Sequence, residues 1–227
     1  VSPEPYRPPG AAPPPAAGPT LREMRWWDID AVLALEARVF PEDAWTAGMF
    51  WSELAHARGP HATRRYLVAE TPDGVLAGYG GLVAVDGTAD VQTVGVLPTH
   101  QGAGLGARLL TALLAAAVDD FGCHEVLLEV RVDNVPARRL YTRSGFVPIG
   151  VRRGYYQPGN VDALVMRNDD PAAALRAARA AGPDPAAGPD PVRDPGPVRA
   201  DPGAEQDTRG TPPHAATNAP PGDERTP

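Results

Sequence analysis

The run Val94-Gly95-Val96-Leu97-Pro98-Thr99-His100-Gln101-Gly102-Ala103-Gly104-Leu105-Gly106 leads straight into Ala107-Arg108-Leu109-Leu110. It reads as a short strand, a glycine-rich loop and the first turn of an amphipathic helix. Glycines at 102, 104 and 106 let a ligand come close to the backbone. The free N–H groups at the start of the following helix carry the positive end of its dipole. The pattern fits an anionic ligand, and as a short motif it also fits a plain helix-start loop. Two familiar phosphate loops are excluded by residues their chemistry needs. No Lys-Ser or Lys-Thr follows, as a Walker A site requires. The G-x-G-x-G rhythm also misses the G-x-G-x-x-G of dinucleotide folds, and no acidic residue sits where a ribose would need one.

The flanking sequence supplies alternating strands and helices. Downstream, Glu125-Val126-Leu127-Leu128-Glu129-Val130 is an apolar strand with a carboxylate near its end. Asp133-Asn134 then caps a helix that runs through Tyr141 and stops at Ser144-Gly145, before Phe146-Val147-Pro148-Ile149 resumes as a strand. Asn134 and Tyr141 are two helical turns apart and can face one groove. Upstream, helices are expected over 28–37, capped by Asp28 or Asp30, and over 47–56. Strands follow at 65–70, 74–85 and 90–96. Leu109, Leu110, Leu113, Leu114, Ala117 and Val118 recur at helical spacing until Phe121-Gly122. The fold class is therefore α+β: a mixed, predominantly antiparallel sheet flanked by helices.

Apolar residues are concentrated in the middle of the 227-residue chain, which predicts one folded domain over 21–168. Residues 1–20 are Pro, Ala and Gly with little to bury, and are expected to be a disordered extension. Residues 169–227 lack aromatics and repeat an Ala-Gly-Pro-Asp-Pro unit, so they read as a disordered low-complexity tail. Within that tail 171–181 could form a frayed Ala-rich helix and nothing more. The tail is a solvated extension or, alternatively, a Pro-rich docking segment.

Net charge is −7, with 14 arginines against 17 acids over 21–168 and 6 against 10 beyond, so no basic stripe supports direct nucleic-acid binding. No apolar run reaches the roughly 18 residues of a membrane span, and no secretory leader is visible. A single cysteine, Cys123, allows no internal disulfide. A soluble cytoplasmic protein without membrane contact is expected. His56, His61, His100, His124 and His214 form no ligand pairs of metal spacing, so no metal is expected. Cys123-His124 is badly placed as a nucleophile dyad, because neighbours on a strand point to opposite faces. Cys123 reads as a small buried hydrophobe.

Gln101-x-x-Gly104-x-Gly106, Leu128-Glu129-Val130-Arg131-Val132-Asp133-Asn134 and Leu140-Tyr141-x-x-x-Gly145-Phe146 together resemble the GNAT acyltransferase superfamily. Within it the chain is similar to the RimI-type ribosomal-protein N-alpha-acetyltransferases. That resemblance also takes in Glu36-x-x-x-Phe40-Pro41-x-x-x-Trp45-Thr46 and Val151-Arg152-Arg153-Gly154-Tyr155-Tyr156, and spans about 21–168.

The resemblance implies transfer of an acetyl group from acetyl-coenzyme A to a protein's N-terminal α-amino group, the protein being a small-subunit ribosomal one. The alternatives are a GNAT enzyme for a small amine or a lysine side chain, and a non-catalytic acyl-coenzyme A adaptor. The implied coenzyme-binding set is the strand end Val94, Gly95 and Val96, the loop and helix start Gly102, Ala103, Gly104, Leu105, Gly106 and Ala107, and Asn134. Thr93 and Gly95 depart from the Asn and Ala usual in RimI-type sequences, which bears on substrate alignment. Glu129 matches the general base, acting through water, and otherwise reads as a strand-end carboxylate paired with Arg131 or Arg152. Glu125 and Asp90 are weaker substitutes for it. Tyr141 matches the general acid, or is a core aromatic. Asn134 could equally be a helix cap. Tyr155 and Tyr156 line the implied peptide entrance, or are buried hairpin aromatics. Phe40 and Trp45 pack the first helices, with the Phe-Pro turn bordering the implied acceptor groove.

Overall fold

The computed structural model describes residues 18–181. The elements in order are β1 (Thr20–Glu23), α1 (Ile29–Val39), α2 (Ala47–Ala55), β2 (Arg64–Glu70), β3 (Leu76–Val85), β4 (Thr88–Val96), α3 (Leu105–Ala115), β5 (Glu125–Arg131), α4 (Val135–Arg143), β6 (Val147–Tyr156), β7 (Val161–Asn168) and α5 (Pro171–Ala181). The seven strands form one sheet in the order β1-β2-β3-β4-β5-β7-β6. Every neighbouring pair is antiparallel except β4 with β5. Among the described residues no helix is long and apolar enough to cross a membrane.

The parallel pair organises everything that follows. β4 and β5 are paired only from Thr88 with Glu125 to Val91 with Leu128. Beyond that, β4 continues to Val96 on β3 and β5 to Arg131 on β7, but the two no longer pair with each other. The cause is a bulge. On the β3 side Leu82 faces Val91 and Gly81 faces Thr93, so Gln92 is the extra residue, and a bulged strand bends. The Tyr66 hydroxyl holds the bulge by donating to Gln92 Oε1 at 2.5 Å. Its ring lies so close over Gly81 that a Cβ there would sit 2.1 Å from it. A split thus opens between the carboxyl ends of two parallel strands, and the helices that follow them, α3 and α4, both begin beside it.

The sheet is covered on both faces. Leu109, Leu110 and Leu113 of α3 are fully buried, and each contributes roughly 1.5–3 kcal/mol. Gly78 and Gly80 of β3 let that helix lie close, since a Cβ at either would be 3.2 or 3.1 Å from Leu109 or Leu113. On the other face Ile29, Val32 and Leu35 of α1 and Phe50 of α2 pack with Tyr66 and Tyr79. Thr46 caps α2, accepting from the Met49 N–H at 3.4 Å. Asp28 stands at the N-cap of α1, but its side chain makes no bond to that helix. Its carboxylate is buried and takes two bonds from Arg22, at 2.7 and 2.9 Å, and one from the Arg25 N–H at 2.7 Å.

One boundary needs correction. The tail expected from residue 169 onward does not begin there, because α5 packs on α3 and its Leu175 is 3% exposed within the main core cluster. Asp170 Oδ1 accepts from the Ala173 N–H at 2.8 Å, and Arg179 reaches Asp119 at 3.1 Å. One leucine among alanines leaves little periodic signal, yet small residues suit a helix that lies close on another. Residues 182–227 of the expected tail, and 1–17 of the expected extension, lie outside the described residues.

Candidate active site

The glycine loop is shaped by its backbone. After Val96 the chain makes one tight turn over Pro98–His100, and Gln101 Nε2 donates back to the Val96 carbonyl at 2.9 Å. Gly102 and Gly104 adopt φ of +79° and +75°, which side-chain-bearing residues rarely tolerate. A Cβ at either would meet nothing within 4 Å, so the loop faces open space. Gly104 is the N-cap of α3, whose first N–H groups have no partner within the helix. They open on a cleft of about 2120 Å³. Of the ten residues assigned to the coenzyme from sequence, nine line this cleft: Val94, Val96, Gly102 to Ala107 and Asn134. Arg108, Arg139 and Arg143 line it too, as do the acids Glu42, Asp43, Asp133 and Asp170, charges of both signs that the motifs did not reveal.

The tenth, Gly95, is buried and belongs to the other face. A Cβ on it would lie 2.7 Å from Tyr79 Cε1 and 3.3 Å from Phe40 Cε2. The Tyr79 hydroxyl in turn lies 2.9 Å from Thr93 Oγ1. Glycine at 95 and threonine at 93 are therefore one feature: the ring of Tyr79 occupies the space of a larger residue, and the threonine meets its hydroxyl.

Glu129 and Tyr141 stand on opposite faces of the sheet. Tyr141, on α4, packs with Leu128, Val130 and Phe146 and lines the cleft. Burial pushes its phenol up to about 12, so it keeps its proton across the neutral range. Glu129 alternates with Leu128 and Val130 and faces the other way. Arg152 Nη1 donates to Glu129 Oε1 at 2.8 Å, and the guanidinium stacks on the Tyr155 ring at 4.9 Å. Arg131 is engaged elsewhere, with Asp133 at 3.1 Å and Glu42 at 3.2 Å. The Tyr156 hydroxyl donates to the Glu129 carbonyl at 3.4 Å. Burial first, then Tyr155, Glu129, Asp43 and Tyr141, raise that hydroxyl above the ordinary phenol range. Residues from both faces thus converge around Tyr156, at the open end of the split. Asn134 acts as a cap, its Oδ1 accepting from the Ala137 N–H at 3.1 Å, while also lining the cleft.

Two carboxyls, the half-buried Asp90 and the buried Glu36, carry more weight than their sequence context suggested. Asp90 is pushed up to about 7 by burial and by facing Glu129, with Arg152 opposing, and its Oδ1 is buried without a hydrogen-bond partner. Glu36 is 1% exposed and likewise pushed up to about 7, burial being the main cause. Glu125, by contrast, sits at the paired end of the strands, 3.4 Å from Thr88 Oγ1 and 3.6 Å from Arg167. Trp45 packs on Phe50 at 5.3 Å, and Phe40 reaches the cleft wall. Cys123 is 5% exposed in the core and its thiol is raised by burial, whereas His124 is exposed.

Known proteins are similar in sequence and in fold. The profile of the Acetyltransferase (GNAT) family matches residues 26–146. The chain is 39% identical over 156 residues to the N-alpha-acetyltransferase RimI of Mycobacterium tuberculosis, covering 66% of this chain and 92% of that one. It is also 39% identical over 137 residues to the mycothiol acetyltransferase of Clavibacter sepedonicus, covering 57% of this chain and 43% of that one. Among solved structures, the ribosomal-protein-S18-alanine N-acetyltransferase from Escherichia coli superimposes with a TM-score of 0.58 at 28% identity, over 66% of this chain and 92% of that one. With the matched segment spanning the split strands, the glycine loop and α4, the chain belongs to the GNAT family of acetyltransferases.

Proposed function

We propose that this enzyme transfers the acetyl group of acetyl-coenzyme A directly to the α-amino group at the N-terminus of a protein, and that the protein is a small-subunit ribosomal one. The observation that carries the reading is the two-sided site. An anion cradle and Tyr141 lie on one face of the β4–β5 split, and Glu129, Asp90, Tyr155 and Tyr156 lie on the other. Relatives named for acetylating N-terminal amines support the acceptor class, and burial of Cys123 in the core supports direct transfer rather than a covalent intermediate on it.

In this reading the N–H groups of residues 102–107 hold the pyrophosphate. The stretch Val94–Val96, which β5 leaves unpaired, offers backbone N–H groups to the thioester oxygen as negative charge develops on it. The peptide enters between the Phe40–Asp43 turn and the Tyr155–Tyr156 hairpin. Its α-amino group, with an ordinary pKa near 7.7–8.0 against about 10.4 for a lysine side chain, needs only a modest base. Glu129 takes the proton through water, with Asp90 behind it. Tyr141, near 12, is a weaker acid than a thiol near 8.5, so it stabilises the departing sulfur by donating a hydrogen bond.

The test is incubation of the full chain with acetyl-coenzyme A and a library of N-terminal peptides, each containing an internal lysine, read by fragment mass. Acetylation confined to the α-amino group supports the proposal. Modification of the lysine side chain, or turnover only with a small amine added in parallel, contradicts it.

A further inference from the structure

Glu36 is a carboxyl group buried where a leucine would serve a helix–sheet contact at lower cost, so its retention calls for a reason in its partners. Those partners lie in two different parts of the site. Oε2 accepts from the Trp45 backbone N–H at 3.4 Å, and Trp45 follows the Phe40–Asp43 turn that borders the cleft. Oε1 accepts from the Tyr79 hydroxyl. When Glu36 is ionised it takes the hydrogen bond of the one Tyr79 hydroxyl proton, and that hydroxyl then accepts from Thr93 Oγ1, 2.9 Å away. In that state the chain of bonds runs from Thr93 to Tyr79 to Glu36. Below Thr93, the edge of the same ring presses on Gly95. Thr93 and Gly95 belong to the stretch of β4 that has lost β5 as a neighbour, so these contacts stand in for the missing strand on the acceptor face.

From these contacts we infer that Glu36 is a positioning residue, which through Tyr79 and Trp45 fixes the end of β4, paired there to β3 alone, relative to the turn bordering the acceptor groove. The inference rests on the reading above that this end of β4 meets the thioester. Glu36 touches neither substrate. Its effect is on where the carbonyl-polarising N–H groups of Val94–Val96 stand relative to the incoming amine. Coenzyme affinity, set chiefly by the glycine loop on the opposite face, does not depend on it.

The experiment compares Glu36→Gln, Glu36→Leu and Tyr79→Phe in the full chain. It uses acetyl-coenzyme A titration calorimetry, steady-state kinetics on an N-terminal peptide, and amide hydrogen exchange over the segments 93–96 and 40–45. Tyr79→Phe keeps the ring against Gly95 and removes only the hydroxyl. It should lower kcat by about 10- to 100-fold, leave coenzyme affinity within about 2-fold, and speed exchange at 93–96. Glu36→Leu should do the same and also speed exchange at 40–45. Glu36→Gln keeps an oxygen acceptor for Tyr79 but not a second one for Trp45. It should rescue most of kcat and the 93–96 protection, but not that of 40–45. Unchanged exchange at 93–96 in both Tyr79→Phe and Glu36→Leu, or a rate loss that only follows the unfolded fraction in a thermal melt, overturns the inference. A wild-type protein inactive on every N-terminal peptide would instead sink the acceptor assignment, while exchange and calorimetry still report on Glu36.

Discussion

The two faces of the β4–β5 split are built by different means. At its centre the cleft face is made of backbone, three glycines and the starts of two helices, with charged side chains such as Arg108, Arg139 and Arg143 around it, the turn with Asp43 on the border it shares with the other face, and Tyr141 buried in its wall. The acceptor face is made of side chains that titrate. Asp90 and Glu36 are pushed up to about 7, Asp43 is raised by burial against the pull of Arg131, and Tyr155 is pushed up to about 12. A backbone cradle suits a ligand that never changes, because its geometry survives most substitutions outside the glycines. A polar, partly desolvated groove suits an amine that must arrive charged and react neutral.

If that division holds, Gly104→Glu should be the most damaging change to the cleft face. It places a side chain at φ +75° and a negative charge at a helix N-terminus where an anion belongs. Coenzyme affinity should fall by at least about 100-fold, while the strain of about 1–2 kcal/mol lowers the melting temperature by only about 2–8 °C. Calorimetry giving wild-type affinity in a folded variant would remove the cradle.

Next in size is the support beneath that face. Leu175→Ala should destabilise the protein by about 2–5 kcal/mol in denaturant unfolding, since it empties a core position that holds α5 on α3. Truncation after Ala181 should leave stability and turnover nearly intact; truncation after Asp170 should not. Equal stability of the two truncated chains would return α5 to the tail.

The acceptor face should show itself in pH dependence. Glu36 titrates near 7 when folded and near 4.5 ordinarily, so between these values the folded protein binds the extra proton. Stability should therefore fall as pH rises from about 4.5 to about 7 and level off above, with Asp90 adding a drop of the same sign. Glu36→Gln should flatten its share of the slope. An unchanged slope in that variant would mean Glu36 is ionised throughout. The smallest effect is expected from Cys123→Ala, which should retain full activity. A stable acetyl-Cys123 that passes its group to peptide would move the chemistry to the covalent class.

The same contrast explains what could be read before the fold was known. The cleft face was legible because its elements are local: strand, glycine loop and helix are contiguous, and α4 with Asn134 and Tyr141 announces itself by cap and periodicity. The acceptor face joins residues far apart in the chain, such as Glu36 with Tyr79 and Asp90 with Arg152. Neither pair has any spacing rule to betray it. β1 is four residues long and was not expected. The strand periodicity of β4 hid the bulge at Gln92, since the extra residue is set by pairing with β3 and by Tyr66, 26 positions away. Thr93 and Gly95, which in sequence stood out only as departures from a pattern, acquire a cause once Tyr79 is seen between them.

The central claim is that Glu129 and Tyr141 serve opposite ends of one transfer from opposite faces of the sheet, and single-turnover rates against pH test it most directly. Wild type, Glu129→Gln and Tyr141→Phe would be loaded with acetyl-coenzyme A and mixed with an N-terminal peptide. The account predicts that each variant loses about 10²- to 10⁴-fold near pH 7. The Glu129→Gln loss should shrink as pH rises through the α-amino pKa, because free amine no longer needs the base. The Tyr141→Phe loss should persist to high pH with coenzyme affinity unchanged. Parallel pH profiles for the two variants, or a Tyr141→Phe defect that disappears with rising pH, would contradict the two-sided mechanism.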